Sequence, residues 1–239
     1  RNNYVRRIVI LMGSVLMENM KAQAIRFGAK FIPQNVISVD FSIRPFRLTT
    51  SDQQLITKSV IIATGAETKW LGIPGEKELI GRGISSCAPC DAPFFKEKHV
   101  LVVGGGDSAM EESLVLTKYA SKITIIHRKS EFKASKTMQE KVFANKKIEV
   151  IWNTEILEVV GKEKFEGLKV KNITTNKLLE IKADGVFIAI GHTPSSEIFK
   201  DKLELDEKGY IKVHSGTKTN IPGVFVSGDV HDFTYKQAI

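Results

Sequence analysis

Val102-Val-Gly-Gly-Gly-Asp-Ser-Ala109 is the stretch that decides the fold. Gly104-Gly-Gly106 closes the apolar run His99–Val103, and a helical pattern with Ala109, Leu114 and Leu116 among its apolar positions runs on from Asp107 to Tyr119. A bare G-x-G-x-x-A is weak; between a strand and a helix it reads as a dinucleotide fingerprint. Gly104 supplies the tight turn, Gly106 lets backbone approach a pyrophosphate, and Ala109 keeps helix and sheet close. The phosphates would lie at the helix start, by Asp107 and Ser108, where free N–H groups and the helix dipole favour anions.

Strand and helix patterns keep alternating outward from this turn. Lys122–Ile126 reads as a second strand, a helix runs from about Ala134 to Asn145, and Ile148–Trp152 reads as a third strand. That order predicts a parallel α/β sheet. Glu155–Val160, Gly167–Ile173 and Leu178–Ile181 alternate between turn signals, as an antiparallel meander does, and Asp184–Ile190 is another buried strand. The flanks differ in texture. A helical pattern covers Val15–Phe27, followed by short β-type runs at Asn35–Phe41, Phe46–Thr49 and Ser59–Ala63. Pro45 and the polar patch Ser51–Gln54 read as turns, and Gly72 to Gly83 as a linker. After Gly191 the chain turns loop-like until the strand Val224–Ser227. The change in texture predicts a nested organisation: residues 85–193 form one dinucleotide-binding domain, inserted into a second built from residues 1–84 and 194–239.

Composition narrows the function. The 239 residues are 42% hydrophobic and 26% charged, ordinary for a globular protein with a real core. No apolar run approaches the roughly 20 residues that span a bilayer. The basic start, Arg1 to Met12, superficially suggests a signal peptide, yet it lacks an initiator Met and a small-residue cleavage site, so a fragment boundary is the expectation. The net charge of +8 comes from scattered lysines without interleaved aromatics, which argues against nucleic acid as a partner.

Two constellations carry chemistry. At the end of the second strand, where an NAD site would place an acidic residue for the ribose hydroxyls, the chain has His127-Arg-Lys129 with Lys133 beyond. A cationic cluster there suits the 2′-phosphate of NADP, since Arg pairs with phosphate oxygens bidentately. The only two cysteines form Cys87-Ala-Pro-Cys90. A zinc site needs about four ligands, and so small a loop stabilises little. Redox use in a reducing, cytoplasmic compartment is the remaining reading. Asp91, next to the pair, is the candidate proton donor, a role that partial burial would favour. Val60-Ile-Ile-Ala-Thr-Gly65, Val186-Phe-Ile-Ala-Ile-Gly191 and Val224-Phe-Val-Ser-Gly-Asp229 each run an apolar strand into a small-residue turn, which implies two dinucleotides.

Taken in order, Ala63-Thr-Gly65, Cys87-x-x-Cys-Asp91, Gly104-Gly-Gly-Asp-Ser-Ala109, His127-Arg-Lys129, Ala189-Ile-Gly-His192, Gly228-Asp-Val230 and Tyr235-Lys-Gln-Ala238 resemble the small, flavin-dependent thioredoxin reductases from about Gly13 to Ile239. The resemblance implies two nested Rossmann-like domains with a small antiparallel β insertion, a homodimer, and electron flow from NADPH through FAD and the cysteine pair to thioredoxin. It implies Cys90 as the flavin-proximal sulfur, Cys87 as the attacking one, and Asp91 as acid/base. It assigns Gly104, Gly106, Asp107, Ser108, His127, Arg128, Lys129, Lys133 and Gly191 to NADPH. Val36, Thr64, Gly65, Gly228, Asp229, Lys236, Gln237 and Ala238 fall to FAD. The chain departs from the family pattern in four places. The opening FAD fingerprint is absent, the sequence stops at Ile239, Ala92 stands where the family has Gly, and Lys129 and Lys133 stand where it has Arg. The expectation is a chain cut short at both ends with an incomplete FAD domain. Two alternatives stay open: the flavoprotein subunit of alkyl hydroperoxide reductase, which carries an acidic residue at the basic cluster, and an inactive NADPH-binding fragment lacking FAD.

Overall fold

A computed structural model describes residues 13–234. The N-terminal flank holds helix α1 (Gly13–Arg26), then strands β1 (Val36–Asp40), β2 (Phe46–Thr50) and β3 (Gln54–Thr57), paired antiparallel in sequence order. Strand β3 corrects the reading of Ser51–Gln54 as a turn alone: the turn is shorter, and Gln54 already pairs with Thr49. Strands β4 (Val60–Ile62) and β5 (Ala66–Thr68) follow, then a one-turn helix α2 (Glu76–Leu79). The segment read as a linker is therefore packed. Leu79 is 1% exposed, and buried Glu76 accepts the N–H groups of Leu71 and Gly72 at 2.9 and 2.7 Å.

The sheet expected around the glycine turn is present. It combines β6 (Ile84–Ser85), β7 (His99–Val103), β8 (Lys122–Ile126), β9 (Ile148–Ile151) and β13 (Gly185–Ile188). All its pairings are parallel, in the order β6-β13-β7-β8-β9. Helices α3 (Ala88–Asp91), α4 (Asp107–Leu116) and α5 (Lys136–Phe143) supply the crossovers on one side. Strands β10 (Thr154–Val160), β11 (Gly167–Asn172) and β12 (Leu178–Lys182) form the antiparallel meander on the other.

Strand β7 shows why both faces are covered. Val100 and Val102 enter the helix-side core with Met110, Leu116 and Val142, while Leu101 and Val103 enter a second core with Val159, Leu168 and Val170 of the meander. Alternation along a strand sends neighbours to opposite faces, so a continuous apolar run has no face left for solvent. Each such Val or Leu contributes about 1.5–3 kcal/mol of burial.

The two flanks meet. β15 (Val224–Val226) pairs parallel with β4, and β14 (His192–Pro194) pairs antiparallel with β5. Val39, Phe46 and Ile62 from one flank share a core with Phe199, Val224 and Val230 from the other. No helix among the described residues is long and apolar enough to cross a membrane.

Candidate active site

Cys87 and Cys90 are joined as a disulfide at the head of α3, with Cys87 as the residue that caps the helix. The N–H groups of Cys90 and Asp91 both donate to the Cys87 carbonyl, at 3.2 and 3.0 Å, closing a tight turn around the pair. A short chain of polar groups runs behind it. The Cys87 N–H donates to Ser85 Oγ at 3.1 Å, and Ser85 Oγ–H donates to Asp91 Oδ2 at 2.6 Å. Asp91 is thus tied through one hydroxyl to the backbone of Cys87. Ser85 carried no signal in the sequence; it is a strand residue that becomes a link only once β6 stands next to α3.

The glycine turn lies at the mouth of a cleft of about 1220 Å³. Gly104, Gly106, Ser108, His127, Arg128, Lys129, Lys133 and Gly191 all line it. Asp107 does not. Its carboxylate accepts both the N–H and the hydroxyl of Ser135, at 2.9 and 2.8 Å, and so holds the start of α5. A Cβ built at Gly106 meets nothing within 4 Å, so the turn opens onto free space. Gly104, at φ +156°, could not carry one: it would lie 2.4 Å from the Ala189 carbonyl and 2.8 Å from Ala109 Cβ. This is the close helix–strand approach for which the fingerprint selects small residues.

Gly105 carries no separate signal in the sequence. A Cβ there would fall 2.1 Å from His127 Cε1, and its carbonyl accepts the N–H groups of Lys133 and Ala134 at 2.7 and 3.1 Å. The turn and the basic loop are thereby locked together. Desolvation lowers the pKa of His127 against opposing hydrogen bonds to the backbone of Glu131 and Gly104, with the flanking Arg128 and Lys129 adding to desolvation, and so favours the neutral ring. The ring packs against Phe132 and Trp152, and its Nε2 is buried with no hydrogen-bond partner among the described residues. Positive charge at this end of the cleft comes from the exposed Arg128, Lys129 and Lys133 rather than from all four basic residues. Open space at Gly106, an orphaned ring nitrogen and three cations fit an anionic nucleotide.

The residues assigned to the second dinucleotide lie elsewhere. Val36 and Thr64 line a separate cleft of about 790 Å³ between β1, β4 and the Thr193–Ser195 segment. The Thr64 hydroxyl donates to the Ser195 carbonyl at 2.7 Å. Because β4 and β15 pair parallel, Gly65 and the turn at Gly228–Asp229 follow the same ends of neighbouring strands, where ligands of parallel α/β sheets bind. Gly65 and Gly228 have φ of +72° and +74°, with open space where a Cβ would stand. These features fit a flavin. Lys236, Gln237 and Ala238 lie outside the described residues.

The pyridine nucleotide-disulphide oxidoreductase family matches residues 5–239. A thioredoxin reductase of Streptomyces coelicolor is 48% identical over 96% of this chain and 72% of its own length. One from Rickettsia prowazekii is 46% identical over 99% of this chain and 78% of its own length. The chain belongs to the thioredoxin reductase family. Solved structures agree: thioredoxin reductase from Giardia duodenalis superposes with a TM-score of 0.81 at 39% identity, covering 95% of this chain and 75% of that one. That from Streptococcus pyogenes gives 0.80 at 36% identity, covering 95% and 74%. Membership in the thioredoxin reductase family makes the chain a flavoprotein disulfide oxidoreductase whose cofactors are a flavin and a pyridine nucleotide.

One group near the disulfide carried no signal in the sequence. Glu112, on α4, accepts the N–H of Ala88, the residue that follows Cys87. Burial raises its pKa to about 7 against the opposing hydrogen bond from Ala88, with the charges of Glu111 and Asp91 pushing the same way as burial.

Proposed function

We propose that the protein is a thioredoxin-disulfide reductase that passes electrons from NADPH through FAD and the Cys87–Cys90 disulfide to thioredoxin. The observation that carries this reading is the fastening of the disulfide turn, through Ala88 and Glu112, to α4, the helix that the glycine turn opens. Residues 85–193 would form the NADPH domain and residues 1–84 with 194–239 the FAD domain, in a cytoplasmic homodimer.

Arg128, Lys129 and Lys133 would hold the 2′-phosphate, and the Gly104–Gly106 turn with Ser108 the pyrophosphate. FAD, held by Val36, Thr64, Gly65, Gly228 and Asp229, supplies the two-electron relay when bound. Reduction of the disulfide takes two electrons and two protons and leaves two thiols. Cys87, as thiolate, attacks one sulfur of thioredoxin's disulfide, forming a mixed disulfide and releasing a thiolate from thioredoxin. Cys90 then attacks Cys87 Sγ, restoring the Cys87–Cys90 bond and releasing the second. Asp91 takes the proton from the attacking thiol and returns it to the leaving sulfur, with Ser85 fixing its orientation. Phe94, 72% exposed and four residues past Cys90, would offer a partner protein an apolar contact.

The test is NADPH oxidation coupled to thioredoxin and insulin turbidity. Wild type should turn over and Cys87→Ser should not. Thioredoxin-dependent turnover that survives Cys87→Ser would overturn the reading.

A further inference from the structure

Two carboxylates stand on the Cys87–Cys90 turn, and the steps above use only one. Asp91 reaches it through Ser85, on the strand side. Glu112 reaches it from the helix side, at the peptide N–H of Ala88 between the sulfurs. We propose that Glu112 is a positioning residue for the redox pair: it fastens the turn through Ala88, and its charge state sets how readily the reduced pair releases a proton. The inference deepens the reading of Cys87–Cys90 as a redox pair and rests on it.

The geometry singles out Glu112 from its neighbour. Glu111 on the same helix is exposed, while Glu112 is half-buried against α3. The charged groups acting on Glu112 are Glu111 from its own helix and Asp91 from α3. The other elements packed around α4 present apolar side chains: Val102 from β7, Ile125 from β8, Val142 and Met138 from α5. Among the described residues, the charges acting on Glu112 are thus both negative. A thiolate formed on the turn adds a further negative charge beside the Ala88 N–H that Glu112 holds, so thiolate and ionised Glu112 disfavour each other. Near neutral pH Glu112 is partly protonated. In that state it no longer opposes the thiolate, and an ionised Glu112 later in the cycle favours the reoxidised, uncharged disulfide.

The experiment needs no bound cofactor. The full chain is reduced with dithiothreitol, freed of reductant, and alkylated with iodoacetamide between pH 5.5 and 9, with sites resolved by peptide mass. Glu112→Gln keeps an acceptor for the Ala88 N–H and removes the charge. It should move the thiolate midpoint to lower pH and raise alkylation at pH 8, where wild-type Glu112 is ionised, about threefold or more. Glu111→Gln removes the same charge from the solvent side of the helix and should shift the profile far less. A Glu112→Gln profile that matches wild type, or a Glu111→Gln shift of equal size, overturns the inference. Failure of dithiothreitol to reduce the pair at all would instead count against the redox reading itself.

Discussion

Gly105→Ala tests whether the glycine turn and the basic loop act as one unit. Gly105 is not in the left-handed region, so alanine meets no backbone penalty there. Stiffening the unfolded chain would by itself favour the variant by about 0.4–1 kcal/mol. The obstacle is the imidazole: the new Cβ would stand 2.1, 2.4 and 2.6 Å from three atoms of the His127 ring. The ring is flanked by Phe132 and Trp152, at centroid distances of 5.5 and 6.1 Å, so it has little room to retreat. Overpacking of this kind costs about 1–3 kcal/mol, which outweighs the entropic gain. With the entropic gain subtracted, the net cost is at most about 2.6 kcal/mol, and at about 2–4 °C per kcal/mol for a chain of this size the melting temperature should fall by up to about 10 °C. The same displacement drags the Gly105 carbonyl away from the Lys133 and Ala134 N–H groups and loosens the cleft at the glycine turn. The assay is a double-mutant cycle with His127→Ala, by thermal melts and by titration of NADPH against each form. Removing the ring gives the methyl its space, so the double variant should be more stable than the sum of the singles predicts, by about 1 kcal/mol or more. Strict additivity, or a Gly105→Ala chain as stable as wild type with unchanged NADPH affinity, would refute the reasoning.

Replacing Arg128 with Leu should raise KM for NADPH at least tenfold while KM for NADH changes little; equal effects on both would sink the 2′-phosphate assignment. Cys90→Ser should abolish thioredoxin reduction yet leave NADPH oxidation by ferricyanide, and loss of both would contradict the order of electron flow. Leu79→Ala should cost about 2–5 kcal/mol in urea unfolding, because the side chain is 1% exposed; a cost below about 1 kcal/mol would return the segment to the status of a linker. Glu112 has a folded pKa of about 7 against 4.5 as a free side chain. Its contribution is full below pH 4.5 and declines as pH rises to 7, so Glu112→Gln should flatten stability across that window; an unchanged slope of unfolding midpoint against pH would contradict this.

Much of the parallel sheet was legible because its strands are buried on both faces. His99–Val103 and Lys122–Ile126 are apolar almost throughout and bounded by turn residues, and β7 and β8 have those limits. The meander was legible by alternation. Failures fell where tertiary partners decide. Strand β3 carries an Ile56 that is 64% exposed, so it shows no buried-face pattern. Strands β5, β6 and β14 are three residues or fewer, too short for any period. Glu76 and Leu79 read as linker residues because nothing local reveals burial. The site followed the same rule. Its glycines, cations and cysteines are chemically distinctive and lie together in two groups. Ser85 and Glu112 are common residue types that matter only through what the fold sets beside them.

Strand β13 stands between β6 and β7, yet it is the last of the five to be made. A ribosome finishes β7 at Val103 and reaches Gly185 roughly 80 residues later, an interval of roughly 4–16 seconds at about 5–20 residues per second. Throughout that interval one edge of β7 has no strand to pair with, and Leu101 and Val103 wait for the meander that will cover them. The emerging chain therefore offers an open, apolar strand edge, the feature that recruits chaperones or invites other nascent chains to pair. Slowing synthesis between Val103 and Gly185 should lower the yield of folded protein more than an equal pause after Ile188.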